Sequence, residues 1–278
     1  MGTDKRERQK ANRAARVAAE EAAEAKKRRI RFIRNAVILV IVIIAVGFLL
    51  GSCSSDSSSD GSKATTTTPK AGAGKAAYGT TKCPPAAGSD KPKIDFATGF
   101  AKCIDTAKTY TANVATTEGE VTVVLNTKRT PITTNNFVAL ARYGYYDGTS
   151  FFRTEAQSGI IQGGAPHTQD NTDPGPGQDF SVPDEGLPFS TSDYKPGALA
   201  MARTSAPNSA SGQFFFLASE GGSYLGDKAS LGADAGSYAV FGNVTKGLDV
   251  LKKIAALDNG SSTPSKPVSI KTVTITES

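Results

Sequence analysis

The chain has 278 residues, enough for one large or two small domains, with 38% apolar residues and a formal net charge of +6. That charge is uneven: residues 1–34 hold twelve Lys/Arg against five Asp/Glu, while the remainder holds twenty against twenty-one. The basic balance therefore belongs to the N-terminal arm, and the rest of the chain has no electrostatic reason to bind nucleic acid.

Residues 4–34 are rich in Ala, Glu and Arg and contain no Pro or Gly, which predicts a solvated helix. The arm leads into Ala36–Leu50, fifteen apolar residues within the uncharged stretch 35–52. As a helix, that stretch reaches roughly 27 Å, just short of a ~30 Å hydrocarbon core. Arg31 and Arg34 can snorkel to cover the difference. A single-pass anchor in the cell membrane follows, with residues 1–34 cytoplasmic and the C-terminal part extracytoplasmic by the positive-inside rule. A cleaved signal peptide is one alternative. Leu50-Gly51-Ser52-Cys53 also resembles a bacterial lipobox, which makes Cys53 a possible lipidation site. Each of these readings exports the C-terminal part.

Residues 53–82 are dominated by Ser, Thr, Gly, Ala and Lys and lack the apolar side chains for a core. They predict a disordered linker with an r.m.s. reach of roughly 30 Å. Residues 83–112 read as an N-terminal extension. Its Cys83 and Cys103 favour a disulfide in an oxidising compartment, with two buried thiols as the alternative. A bond closing such a loop stabilises by about 3 kcal/mol in the chain-entropy model. Pro84, Pro85 and Pro92 make the stretch poor at regular secondary structure.

From 113 to 278 the pattern is globular. Val121, Val123 and Leu125 alternate with their neighbours as in a strand with one buried face. Pro131 suits the first turn of a helix whose Phe137, Leu140 and Ala141 share a side, and Gly144 can end it. Short apolar runs recur at 159–161, 198–202, 214–218 and 239–244, separated by Gly- and Pro-rich loops. Leu248, Leu251, Ile254 and Ala255 give a second helix one face over 247–256. A last strand over 268–275 carries a phase slip near Lys271 that predicts a bulge. Many short strands and two helices predict a mostly β protein, a closed barrel with helices at its ends.

The chemistry concentrates in five segments: Phe151-Phe152-Arg153, Gln162-Gly163-Gly164, Ala202-Arg203, Gln213-Phe214-Phe215 and Val240-Phe241-Gly242. They offer two arginines, Arg153 and Arg203, two glutamines and several aromatics. His167 is the lone histidine, in a Gly/Pro/Thr loop predicted to be exposed, so Ser-His and zinc chemistry find little support. Asp184-Glu185 reads as a turn or structural pair, since neighbours on a strand point oppositely. A fixed cation without a titrating partner suits a reaction that needs neither proton transfer nor a nucleophile.

With Asn136-Phe137, the run Tyr145–Arg153, Pro183-Asp184-Glu185 and the run Pro196–Ala202, these segments resemble the cyclophilin family of peptidyl-prolyl cis-trans isomerases. The resemblance covers residues 113–278. It implies an eight-stranded antiparallel barrel capped by two helices, with the substrate groove on the outer wall. Arg153 matches the catalytic arginine and Gln162 the glutamine that orients it. Ile160, Phe215 and Leu225 match the walls of the proline slot. Ala202, Arg203 and Gln213 match positions that hold the substrate backbone, and Tyr224 and Tyr238 stand where a Trp and a His line the groove. No cofactor or metal is implied, and the isomerase domain is expected to be monomeric.

An Xaa-Pro bond turns slowly because amide resonance sets a barrier of roughly 18–20 kcal/mol. A guanidinium aimed at the prolyl nitrogen favours the twisted amide, where that nitrogen gains a lone pair, over the planar one. Departures from the family pattern are local. One residue is added between Arg153 and Gln162, Ser158-Gly159 replaces an aromatic wall, and the loop 226–237 is long. The implied clients are proline-containing polypeptides, which here are exported ones. The alternative is a low-turnover binding module for proline-containing envelope proteins.

Overall fold

The computed structural model describes residues 78–278. The basic arm 1–34, the apolar stretch 35–52, Cys53 and most of the linker 53–82 lie outside the described residues. Among the described residues, no helix is long and apolar enough to cross a membrane.

The fold is mostly β, with eight strands in one antiparallel sheet. They are β1 (Tyr110–Thr116), β2 (Glu120–Leu125), β3 (Arg153–Glu155), β4 (Ile160–Gly163), β5 (Ala198–Met201), β6 (Phe214–Leu217), β7 (Val240–Lys246) and β8 (Ile270–Glu277). Their order across the sheet is β3-β4-β6-β5-β7-β2-β1-β8. No ladder joins β3 to β8. The segments just before them meet in a single Ser150–Ser269 bridge, with Phe151 N–H donating to Val268 O at 2.9 Å.

Among the described residues, three α-helices accompany the sheet: α1 (Pro131–Arg142), the single-turn α2 (Lys228–Leu231) and α3 (Leu248–Ala255). Thr130 makes no side-chain cap at the start of α1, although Pro131 sets the first turn. The orphaned N–H groups are met from elsewhere. The Glu185 carboxylate accepts from Ile132 N at 3.0 Å and Thr133 N at 3.0 Å, a charge suited to the positive helix end. Asp184 meanwhile faces Arg203 at 3.5 Å, so the adjacent acids serve separate structural partners. The α3 entry needs Gly247, whose φ is +87° and whose added Cβ would fall 2.3 Å from Glu120 O.

The phase slip in β8 has a plain cause. Ala115 pairs with Thr272 and Thr116 with Ile270, which leaves Lys271 as the unpaired bulge residue. β1 itself begins at Tyr110, before the alternation that first reads as globular.

Alternation sorts the side chains into two clusters. The inner one gathers Phe137 and Leu140 of α1, Leu251 and Ile254 of α3, and sheet residues including Val121, Val123, Ile161, Phe214, Phe216 and Phe241. Its aromatics pack closely around Phe137, which stacks on Tyr146 at 5.0 Å, meets Phe214 edge-on at 5.5 Å and lies tilted 5.1 Å from Phe241. The outer cluster holds Ile160, Phe189, Tyr194, Ala198, Ala200, Phe215, Leu217, Leu225 and Val240. Consecutive residues of β4 and β6 thus go to opposite faces.

Residues 78–109 wrap the end of α1 without a helix or named strand. Asn135 ties them down, accepting from Cys103 N at 2.6 Å and donating to Ala101 O at 3.0 Å. Phe96, Phe100, Tyr143 and Phe180 pack as one aromatic group. Cys83 and Cys103 have Cα atoms 5.3 Å apart and sulfurs at bonding distance.

Candidate active site

Strand register alone builds the site. Arg153 on β3 lies opposite Gln162 on β4, Gln162 opposite Phe215 on β6, and Phe215 opposite Ala200 on β5. Directly paired residues share a face, so these four form one row across the outer wall. The parallel row is Glu155, Ile160 and Leu217. A cation, an amide and an aromatic ring are thereby set side by side on rigid strands rather than on loops.

Hydrogen bonds fix the polar end of the row. Arg153 Nη1 donates to Gln162 Oε1 at 3.0 Å, and Gln162 Nε2 donates to Gln213 Oε1 at 2.9 Å. Gln162 is only 8% exposed, so its amide is held by these partners rather than by water. Ala202 N donates to Gln213 O at 3.0 Å, joining the segment after β5 to the one before β6.

Beside Arg153 opens a slot of about 120 Å³ lined by Ile160, Gln162, Ala202, Arg203, Phe215, Tyr224, Leu225 and Tyr238. Its volume is that of about four waters at ~30 Å³ each, room for one small ring. Ile160, Phe215 and Leu225 are each 4% exposed and form its apolar wall. Phe215 meets Tyr238 edge-on at 5.5 Å. A larger cleft of about 730 Å³ continues on the other side of Arg153, with Gln213, Arg203, Asp173 and Ser262 on its walls. Arg153 and Gln162 stand at the boundary of the two. A chain lying in both would pass directly over the guanidinium.

The structure brings together every groove residue that the sequence points to: Arg153, Gln162, Ile160, Ala202, Arg203, Gln213, Phe215, Tyr224, Leu225 and Tyr238. Cys83 and Cys103 lie apart, in the extension. Three supporting residues escaped sequence reasoning. Glu155 accepts from Arg153 Nε at 3.0 Å and from Nη2 as well, and Ser158 Oγ donates to the other Glu155 oxygen at 2.8 Å. Tyr194 Oη donates to Tyr238 O at 2.7 Å and accepts from Tyr238 N at 3.1 Å, pinning one slot wall from behind. Only the spacing of Glu155 from Arg153, two apart on a strand, could have signalled the first. Tyr194 carries no such signal.

Burial pushes the Tyr224 hydroxyl pKa up, and the Glu155 carboxylate adds to that while Arg153 opposes it, so the phenol is held neutral. As the sequence leads one to expect, His167 is an exposed residue, although its imidazole is drawn in between two carboxylates. Its Nε2 lies 3.0 Å from Asp95 and its Nδ1 3.4 Å from Asp173. Burial lowers the imidazole pKa, but the two carboxylates outweigh it and raise the net value. Asp95 belongs to the extension and Asp173 to the cleft wall. Phe96 N donates to Pro176 O at 2.7 Å between the same two segments. The extension therefore braces one side of the larger cleft.

Comparison with known proteins places this geometry. The family described as cyclophilin type peptidyl-prolyl cis-trans isomerase matches residues 111–275. The peptidyl-prolyl cis-trans isomerase cyp18 of Streptomyces antibioticus is 36% identical over 167 residues, 59% of this chain and 95% of that protein. A peptidyl-prolyl cis-trans isomerase of Acinetobacter baylyi is 34% identical, covering 56% of this chain and 80% of its own length. Peptidyl-prolyl cis-trans isomerase B of Escherichia coli is 32% identical across 58% of this chain and 97% of its own.

Proposed function

Because the chain belongs to the cyclophilin-type peptidyl-prolyl cis-trans isomerase family, we propose that its outer-face row isomerises Xaa-Pro bonds in exported polypeptides, at the outer side of a membrane. The observation that carries the reading is the Arg153 guanidinium, held by Gln162 at 3.0 Å against the mouth of a small apolar slot. A prolyl ring seated between Ile160, Phe215 and Leu225 brings its nitrogen towards Arg153. As the amide twists, the nitrogen pyramidalises and its lone pair accepts from the guanidinium, an interaction absent in the planar ground state. Gln162 keeps that cation in place, while Gln213 and Ala202 hold the flanking backbone. No proton changes owner and no bond to the enzyme forms.

The setting rests on the sequence ahead of the domain. The uncharged stretch 35–52, flanked by a basic arm, supports a single-pass anchor, with lipidation at Cys53 as the other route to the membrane. The approach of Cys83 to Cys103 supports a disulfide, and with it an oxidising compartment. A monomeric isomerase domain joined to the anchor through residues 53–82 would then reach chains emerging near the bilayer.

Magnetisation-exchange NMR on an Ala-Pro peptide, with the full chain in detergent, tests the activity. Accelerated cis-trans exchange supports the isomerase. Peptide resonances that shift without faster exchange would instead establish a binding module. Protease added to intact cells tests the setting: loss of the C-terminal domain supports export, and protection until lysis contradicts it. Intact mass separates the anchors, since lipidation at Cys53 requires loss of residues 1–52.

A further inference from the structure

We infer that Glu155, anchored by Ser158, is a positioning residue that orients the Arg153 guanidinium for isomerisation. The inference rests on the catalytic reading of Arg153 but concerns a residue outside the slot and cleft linings. Glu155 follows Arg153 by two positions on β3, so both side chains stand on the outer face. One carboxylate oxygen receives both Nε–H and Nη2–H of Arg153, while the other receives Ser158 Oγ at 2.8 Å. The carboxylate is thus held from both sides, unlike a mobile surface ion pair.

The turn between β3 and β4 makes this possible. Gly159 N donates to Glu155 O at 2.8 Å, folding the segment back so that Ser158 faces Glu155. Gly159 has φ +71°, and a Cβ there would fall 2.3 Å from Ser219 N, so the turn depends on glycine. The extra residue between Arg153 and Gln162 belongs to this same turn.

The donor count shows what the arrangement achieves. A guanidinium has five N–H donors in a rigid fork. Glu155 takes one on Nε and one on Nη2, and Gln162 takes one on Nη1. Two remain, one on each terminal nitrogen, for the substrate. Because Arg153 is itself 41% exposed, packing alone cannot select one orientation of its long side chain. Fixing the fork before substrate arrives removes that ordering from the barrier. Glu155 also offsets part of the arginine's positive field, so the two effects predict opposite signs. Positioning predicts slower turnover without Glu155, and simple charge damping predicts faster turnover.

The test is kcat and KM from exchange NMR across a range of Ala-Pro peptide concentrations, using the full chain and three variants. Glu155→Ala should lower kcat about tenfold with KM changed less than about twofold, the scale of a small misplacement of a catalytic group. Glu155→Gln retains an oxygen for both arginine N–H groups and should keep kcat within about threefold of the wild type. Ser158→Ala should fall between them. In parallel, the Arg153 Nε–H resonance should be sharp in wild type and Glu155→Gln, and broadened in Glu155→Ala. A Glu155→Ala kcat that is unchanged or raised overturns the inference, as does a Glu155→Gln variant as slow as alanine. If Glu155→Ala does not fold, Ser158→Ala and Glu155→Gln decide by the same criteria. An inactive wild type would instead sink the isomerase reading, and the Nε–H signal would still judge the contact.

Discussion

The two faces of strand β6 divide stability from chemistry. Phe214 and Phe216 point inward and are fully buried, with Phe214 meeting the rings of Phe137, Tyr146 and Phe216 between 5.2 and 5.7 Å. Phe215 and Leu217 point outward into the smaller cluster, where the ring of Phe215 meets Tyr238 at 5.5 Å. The inner face is closed by α1 and α3, while the outer face is left partly open, and that opening is the slot. One strand therefore serves a packed core and a binding wall, because side chains alternate every residue. The polar row of Arg153 and Gln162 sits on the outer face, where it adds no unpaired charge to the core.

Substitutions that respect this division should separate the two properties. The largest effect belongs to Phe214→Ala, expected to cost about 4 kcal/mol in urea unfolding because a large cavity opens amid aromatic neighbours. Phe215→Ala should cost about half as much, since its surroundings are less dense, yet should raise KM for Ala-Pro peptides far more than any inner-face change that still folds. Equal stability losses for the pair would break the comparison. Tyr194→Phe removes the hydroxyl that both donates to and accepts from Tyr238, and should cost about 1 kcal/mol. It should also raise KM while leaving kcat nearly unchanged, because it loosens a slot wall and not the arginine.

The smallest effect is a pH dependence remote from the groove. Glu277 on β8 bonds Arg142 of α1 at 2.9 Å and Lys108 at 3.1 Å, and these partners hold its pKa down at about 2. A carboxylate depressed in the folded state stabilises fully above its unfolded pKa, and that contribution is lost as pH falls through the folded value. Urea midpoints of the wild type should therefore decline between about pH 4.5 and pH 2 more steeply than those of Glu277→Gln. Parallel curves would show that Glu277 and its two partners carry no acid-sensitive stability.

How far the sequence could be read follows from the same geometry. The helices 131–142 and 248–255 announce themselves by Pro131, by 3.6-residue periodicity and by Gly247. The bulge at Lys271 shows as a break in alternation, since an extra residue shifts the apolar phase. The run 214–217 hides its alternation, because all four residues are apolar and both faces of β6 are covered. Arg153 and Gln162 stand out through resemblance, whereas Glu155, Ser158 and Tyr194 do not. A carboxylate on a strand, a serine in a turn and a tyrosine in a loop are each ordinary in isolation, and only the folded register brings them to Arg153 and Tyr238. The pairing of His167 with carboxylates is hidden likewise, as its partners Asp95 and Asp173 come from separate segments.

If Arg153 drives the isomerisation, it does so on a wall whose integrity does not depend on it. Arg153→Ala should be compared with wild type by magnetisation exchange on an Ala-Pro peptide at matched concentration, with thermal unfolding recorded on the same samples. kcat/KM should fall about 10²- to 10³-fold, the scale for removing one transition-state donor, with Tm nearly unchanged. Exchange at the wild-type rate in a folded Arg153→Ala variant would contradict that role of the arginine.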